Sequence, residues 1–263
     1  MKILAVETAT AWQSVALLDD DRLLAQHEQE ADGAHGALLL PAIDHVLAQC
    51  GLQLHDLSGL ACSVGPGSFT GLRVGIATCL GLRAATGLPL TLVPTLEAMA
   101  GNANITTMSV CPLLISRRGE VYWAIFRRGG DGRLERVLNE QVGAPRTFTQ
   151  SLREPTFVFG AGWLTMDSAI RDPLTTSGLV TVGSEHLFKP SACSVARIGM
   201  AQLQRGEVAG DVVAPLYVQR AEAEIQYERS GGVSPVVRRQ KRVERKMAER
   251  LARGRRRSKG QML

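Results

Sequence analysis

No apolar run in the 263-residue chain reaches the roughly 18 to 20 residues that span a bilayer. A membrane bundle is excluded, and no membrane partner is expected. The N-terminus offers only Lys2 and Ile3–Val6 before Glu7, too little for the hydrophobic part of a secretory signal, so a cytoplasmic chain is expected. Cysteine is sparse too. Cys50, Cys62, Cys79, Cys111 and Cys193 are odd in number and make no CxxC pair, which argues against a zinc knuckle or a dithiol redox site. Buried free thiols of a reduced compartment are expected. A chain this long buries about three-quarters of its unfolded surface and needs no disulfide scaffold.

Signatures of catalysis are also missing. His27, His35, His45, His55 and His186 form neither HxxxH nor HExxH, so no helix-borne metal site and no metallopeptidase is expected. There is no GxSxG, and the cysteines lack a local nucleophile signature.

What is present is ordinary globular material, 45% hydrophobic and 21% charged, with an uneven charge distribution. The net charge of +5 divides into two parts. Residues 228–263 carry 13 Lys and Arg against 3 acids, and residues 1–227 carry 17 against 22. A mildly acidic body is followed by a strongly basic tail.

KILAVET (2–8), QSVALLD (13–19) and RLLAQHEQ (22–29) are β-rich runs joined by short turns, which favours an antiparallel meander. From 34 to 50 the period becomes helical, with Pro41 in the first turn or bending the helix. A buried strand at Leu60–Val64 leads into a helix over Phe69–Ala85, stopped by Gly87-Leu88-Pro89, and then a strand at Leu90–Val93. The order predicts a mixed α/β sheet with helices on its faces. Val110–Ser116, Glu120–Arg127 and Arg133–Glu140 form a second meander, as in a duplicated fold. Residues 143–190 carry no firm pattern, Ser191–Arg205 is expected as a helix and Val212–Val218 as a closing strand. The divisions expected are 1–108 for the first lobe, 109–224 for a reduced second lobe, and 225–263 for a basic tail, disordered or ordering on binding.

The segment Gly65-Pro66-Gly67-Ser68-Phe69-Thr70-Gly71 is a glycine-rich strand-to-helix turn. Such a turn exposes N–H groups to an anion at a helix N-terminus. It lacks the Lys-Ser/Thr ending of a P-loop, and its last glycine falls one residue too late for GxGxxG. Two readings stand: a phosphate cradle, or a tight turn with Ser68 or Thr70 as helix cap. Glu7-Thr8-Ala9-Thr10, at the end of the first strand, is a place where a carboxylate can organise a metal–nucleotide pair. The helices at 38–50 and 69–85 are apolar over broad arcs, with Gly71, Gly75, Ala77, Gly81 and Ala85 permitting close approach. They are either core throughout, or core on one face and partner-binding on the other.

ILAVETAT, SVALL, HGALLLPAID, VGPGSFTGLRVGIATCLGL, RRGEVYWAIF and PLYVQRAEAE, in that order over roughly 1–224, resemble the bacterial TsaB (YeaZ) family. The resemblance implies an α/β, two-lobed actin-like ATPase fold with ribonuclease H-like halves. It implies a part in forming N6-threonylcarbamoyladenosine at position 37 of ANN-decoding tRNAs. The part is that of a non-catalytic relative of the TsaD transferase, paired with TsaD through first-lobe helices. A homodimer by the same surface is implied when TsaD is absent, and the small ATPase TsaE completes the assembly. Interface candidates on those helices are Leu39, Ile43, Val46, Leu72, Ile76 and Leu80. Candidates for nucleotide or phosphate contact are Thr8, Thr10, Gly65, Gly67, Ser68 and Thr70, with no cofactor of its own and ATP or ADP at most at the joint with TsaD. The HxxxH of a TsaD-like transferase is absent, Leu39 standing four residues after His35. An active ATP-dependent enzyme of the same fold is the competing reading. The tail from about Arg229 lies beyond the matching part. Its clustered Lys and Arg point to tRNA phosphates, with a merely solubilising tail as the alternative.

Overall fold

The computed structural model describes residues 1–117, 119–130 and 132–218. The basic tail, and residues 219–224 of the closing motif, lie outside the described residues.

Strands β1 (Lys2–Glu7), β2 (Trp12–Asp19) and β3 (Arg22–Glu30) form the expected meander, paired from Lys2↔Asp19 to Glu7↔Ser14 and onward to β3. The amino group of Met1 bonds Asp19 and Asp20 at the β2–β3 turn, at 3.1 and 2.9 Å. Strand β4 (Gly59–Gly65) lies parallel to β1, and β5 (Leu90–Pro94) parallel to β4, giving the order β3-β2-β1-β4-β5. Strands β1 and β4 are covered on both faces, which is why they read as nearly continuous apolar runs.

Alternation along these strands sorts their side chains between two cores. Leu4, Val6, Val15, Leu17, Leu60 and Cys62 meet helix α1 (His35–Gln49) and helix α2 (Phe69–Thr86). Ile3, Ala5, Ala16, Leu18, Ala61 and Val93 face the other way. They pack on Ala98 of helix α3 (Thr95–Asn102) and on Ala192, Val195, Ala196 and Met200 of a helix that comes much later in the chain. Pro41 is the seventh residue of α1, past its first turn, where its ring removes one helical N–H.

The second sheet repeats the plan. Strands β6 (Ser109–Ile115), β7 (Val121–Arg128) and β8 (Leu134–Gly143) form a meander. Helix α4 (Pro145–Ser151), β9 (Thr156–Phe159), α5 (Ala161–Leu164), α6 (Ser168–Thr176) and β10 (Val180–Val182) organise the stretch that carried no firm pattern. The sheet order is β10-β9-β6-β7-β8, the same succession as in the first sheet, with β9 parallel to β6. One face meets Leu96, Met99 and Ala100 of α3. The other meets Phe148 and Leu152, with the Trp123 and Phe148 rings edge to face at 5.9 Å.

Two sequence expectations change. Helix α7 (Ala192–Gln204), placed by chain order in the second lobe, packs on the first sheet. Its Gly199 leaves room only for Ala61 and Thr91. Val212–Val218 forms no strand. The segment instead makes isolated backbone bonds to the first lobe, such as Leu216 N–H to Val64 O at 2.7 Å. All five cysteines are free, four of them buried. No described helix is long and apolar enough to cross a membrane.

Candidate functional site

The glycine loop leaves β4 at Gly65, whose φ of 110° disfavours any residue with a side chain. It enters α2 at Ser68, which caps the helix by accepting the Gly71 N–H at 3.2 Å. The concave side of the loop is filled by the turn between β1 and β2. A side chain at Gly67 would run into the Ala9 carbonyl, one at Gly71 into the Thr8 carbonyl, and one at Gly75 into the Thr8 hydroxyl. Ser68 N–H donates to Ala9 O at 2.7 Å. The glycines therefore admit the chain's own backbone.

Glu7 anchors the turn. It is fully buried, and its Oε1 accepts the Ala9 N–H at 2.5 Å, while Oε2 has no partner among the described residues. Desolvation pushes its carboxyl up from the ordinary 4.5 to about 7, and the Ala9 N–H only limits the rise. The turn also reaches the start of α1, where His35 Nε2 lies 2.9 Å from Thr10 O. One short turn thus touches the N-termini of both outer helices.

Of the six residues proposed for nucleotide contact, Thr8 is buried under α2. Thr10 Oγ1 accepts the N–H of Trp12 at 3.2 Å, and Gly65 and Gly67 are packing positions. Only Ser68 and Thr70 are exposed, and the Ser68 hydroxyl already serves as a cap.

The six interface candidates divide as well. Leu39, Ile43, Val46, Leu72 and Ile76 are buried, four of them in the core between the helices and the first sheet. In the folded chain these five face inward. Leu80 is half-buried. The exposed residues of the two helices are different ones: Gly36, Ala37, Leu40, Pro41, Asp44, His45, Ala48 and Gln49 on α1, and Phe69, Thr70, Arg73, Ala77, Gly81, Ala84, Ala85 and Thr86 on α2. Leu40 is 51% exposed, and a side chain at Gly81 would meet nothing within 4 Å. Of the small residues on α2, Gly71 and Gly75 admit the turn, while Ala77 and Gly81 face outward.

Sequence reasoning did not anticipate an exposed aromatic–arginine group at the start of α2. Phe69 stacks on Tyr217 at 5.0 Å, the Arg73 guanidinium lies 3.7 Å over the Phe69 ring, and Arg73 Nε donates to the Tyr217 hydroxyl at 3.0 Å. These residues are 144 positions apart at the hydrogen bond, and no local pattern links them. Among the described residues, no three of His, Cys, Asp and Glu come together as a metal-binding set.

Two sheets of matching order, with α3 packed on both, define an actin-like ATPase fold of two ribonuclease H-like halves. The chain is 35% identical over 228 residues to the tRNA threonylcarbamoyladenosine biosynthesis protein TsaB of Escherichia coli, covering 83% of this chain and 95% of that one. It belongs to the TsaB (YeaZ) family. The Bacillus subtilis protein of the same name is 29% identical, over 86% of this chain and 98% of its own. A Pseudomonas aeruginosa crystal structure, described as an uncharacterized protein with similarity to peptidase YEAZ, superposes with a TM-score of 0.69. It is 25% identical and covers 83% of this chain and 99% of that chain. Residues 27–155 also match the family TsaD: tRNA N6-adenosine threonylcarbamoyltransferase.

Proposed function

We propose that the chain is the non-catalytic subunit required for N6-threonylcarbamoyladenosine formation at position 37 of ANN-decoding tRNAs. In this reading it docks on the TsaD transferase through the outward face of α1 and α2 and supports the transferase's active conformation. The observation that carries the reading is the filled loop. A phosphate cradle needs open space before its glycines, whereas Ala9 and Thr8 occupy the space before Gly67 and Gly71, and Ser68 is spent on the helix cap. The outer helical face supports the docking role. Its exposed residues include the small or apolar Gly36, Ala37, Leu40, Ala77 and Gly81, where another helix can approach closely, beside Asp44, His45 and Arg73, which need polar partners across the joint.

TsaE joins the same assembly in this reading, and a homodimer forms by the same face when TsaD is absent. The chain holds no nucleotide of its own. ATP or ADP at the joint with TsaD would meet only the exposed rim at Ser68 and Thr70. The basic tail contacts tRNA phosphates.

The direct test of docking is Gly81→Arg. The site is open within the chain, and arginine is the better helix former, so the variant folds. A long cation at the centre of the face should weaken TsaD binding by about 2 kcal/mol or more through lost complementarity and desolvation. Undiminished binding to TsaD by calorimetry would remove this face from the account.

A further inference from the structure

After α7 the chain turns at Gly206, with φ 74°, and passes from the helical layer between the sheets to the outer layer. Residues 207–218 are irregular, yet they are tied down along their length. Ala209 N–H donates to Leu90 O at the open side of β5, and Leu216 N–H to Val64 O at the end of β4, each at 2.7 Å. Ala209, Val213 and Leu216 pack on the outer core. Glu207 ties back to the end of α7, its N–H donating to Gln202 O at 2.9 Å and its carboxylate accepting from Arg205 at 2.6 and 2.8 Å. Val218 packs on the core of the second sheet. The other side-chain ties go to α2. Near its C-terminus, Arg83 donates to Ala209 O at 3.1 Å and Gly210 O at 2.8 Å and lies 3.8 Å from Asp211. At its N-terminus, Phe69 and Arg73 hold Tyr217 by stacking and by the 3.0 Å hydrogen bond. The strap therefore grips both ends of one helix, while Leu72, Ile76 and Cys79 hold its middle by burial. At its other end the strap continues from α7, which is itself fixed to the first sheet and to α3. There the Ala192 N–H donates to Ser14 Oγ at 3.1 Å, Ser194 bonds Asn102, and Gln202 bonds Leu92 O at 3.2 Å.

We propose that residues 207–218 act as a positioning strap that clamps α2 at both ends and fixes it to helix α7 on the opposite face of the first sheet. The strap thereby holds the outward helical face in its docking-competent position. The last part rests on the reading of that face given above; the clamping of α2 does not. Arg73, Arg83 and Tyr217 are positioning residues that act through α2. Docking is then sensitive to the packing of α7 on the first sheet and α3, because α7 and α2 are joined by a short tethered segment. A strap that merely covered apolar surface would leave α2 equally protected without its polar ties.

The experiment uses the full chain with Arg83→Ala and Tyr217→Ala, singly and together, beside Tyr217→Phe and Gly81→Arg. Hydrogen exchange by mass spectrometry is read over residues 69–86 and over β1 and β4, and affinity for TsaD is measured on the same samples. The expected result for the double variant is exchange in 69–86 accelerated by about tenfold, with β1 and β4 unchanged, and TsaD affinity lowered by about tenfold. Tyr217→Phe, which keeps the stack and loses one hydrogen bond, should fall between wild type and Tyr217→Ala. Unchanged exchange in 69–86 overturns the clamp, as does acceleration spread equally over β1 and β4, which is general loosening. Accelerated exchange in α2 with unchanged affinity, while Gly81→Arg weakens TsaD binding, overturns the link from strap to docking. If Gly81→Arg binds normally, the docking face itself has failed, and the exchange data alone decide the clamp.

Discussion

Glu7 shows how burial of one group shapes both stability and the site. Its carboxyl is raised to about 7 by desolvation, so the folded chain keeps a proton there that the unfolded chain releases near 4.5. The sign follows from linkage. This contribution is fully present below about pH 4.5 and is lost as pH rises through about 7. The loss attributable to Glu7 is on the order of 3 kcal/mol. Glu7→Gln, which can still accept the Ala9 N–H, should remove most of that dependence. Urea unfolding at pH 5 and pH 8 should show the wild type losing more stability than the variant, and equal losses would refute the assignment. A second residue-scale expectation concerns Ile43, which is 1% exposed between α1 and the sheet. Ile43→Asp should cost roughly 3 kcal/mol or more by burying an unpaired charge, and thermal denaturation should register it before any partner is added.

At the scale of elements, the helices α1 and α2 show where sequence reading succeeds and where it stops. Both lengths were legible, because Gly87 and Pro89 end α2 and the apolar period of α1 is strong. Their outward residues were not. Apolar periodicity picks out the face that meets the sheet, so Leu39, Ile43, Val46, Leu72 and Ile76 were selected for the property that buries them. Several of the outward residues are small, and a glycine at position 81 looks in sequence like the glycine at position 75. Only the fold shows that Gly75 meets the Thr8 hydroxyl while Gly81 meets nothing. The glycine loop was found for a sound reason, since its spacing marks a strand-to-helix turn. What fills it comes from more than 50 residues earlier in the chain, and no local pattern records that contact. Among element-scale variants, Ala9→Gly is expected to be mild and Gly67→Ala severe. An added methyl at Gly67 drives into the Ala9 backbone, which should cost about 2 kcal/mol or more in a denaturant titration.

At the scale of the whole molecule, the duplicated plan was legible from the two meanders, whose turns and β-rich runs recur after about 108 residues. The place of α7 was not, because chain order puts it in the second lobe while its Ala192, Val195, Ala196 and Met200 fit the first sheet. The charge division between body and tail carries its own expectation. Truncation after Glu228 removes 13 Lys and Arg against 2 acids. If the tail contacts tRNA, truncation should weaken tRNA binding and flatten its dependence on salt. Affinity and slope unchanged across a salt series would end that idea. The central claim is that this chain supports a transferase without performing the transfer. The measurement that tests it most directly is tRNA threonylcarbamoylation reconstituted with TsaD, TsaE and the adenylate-forming enzyme, with and without this chain. The account predicts modification that depends on the chain, while the chain alone neither modifies tRNA nor hydrolyses ATP. Full modification in its absence, or activity of the chain without TsaD, would contradict it.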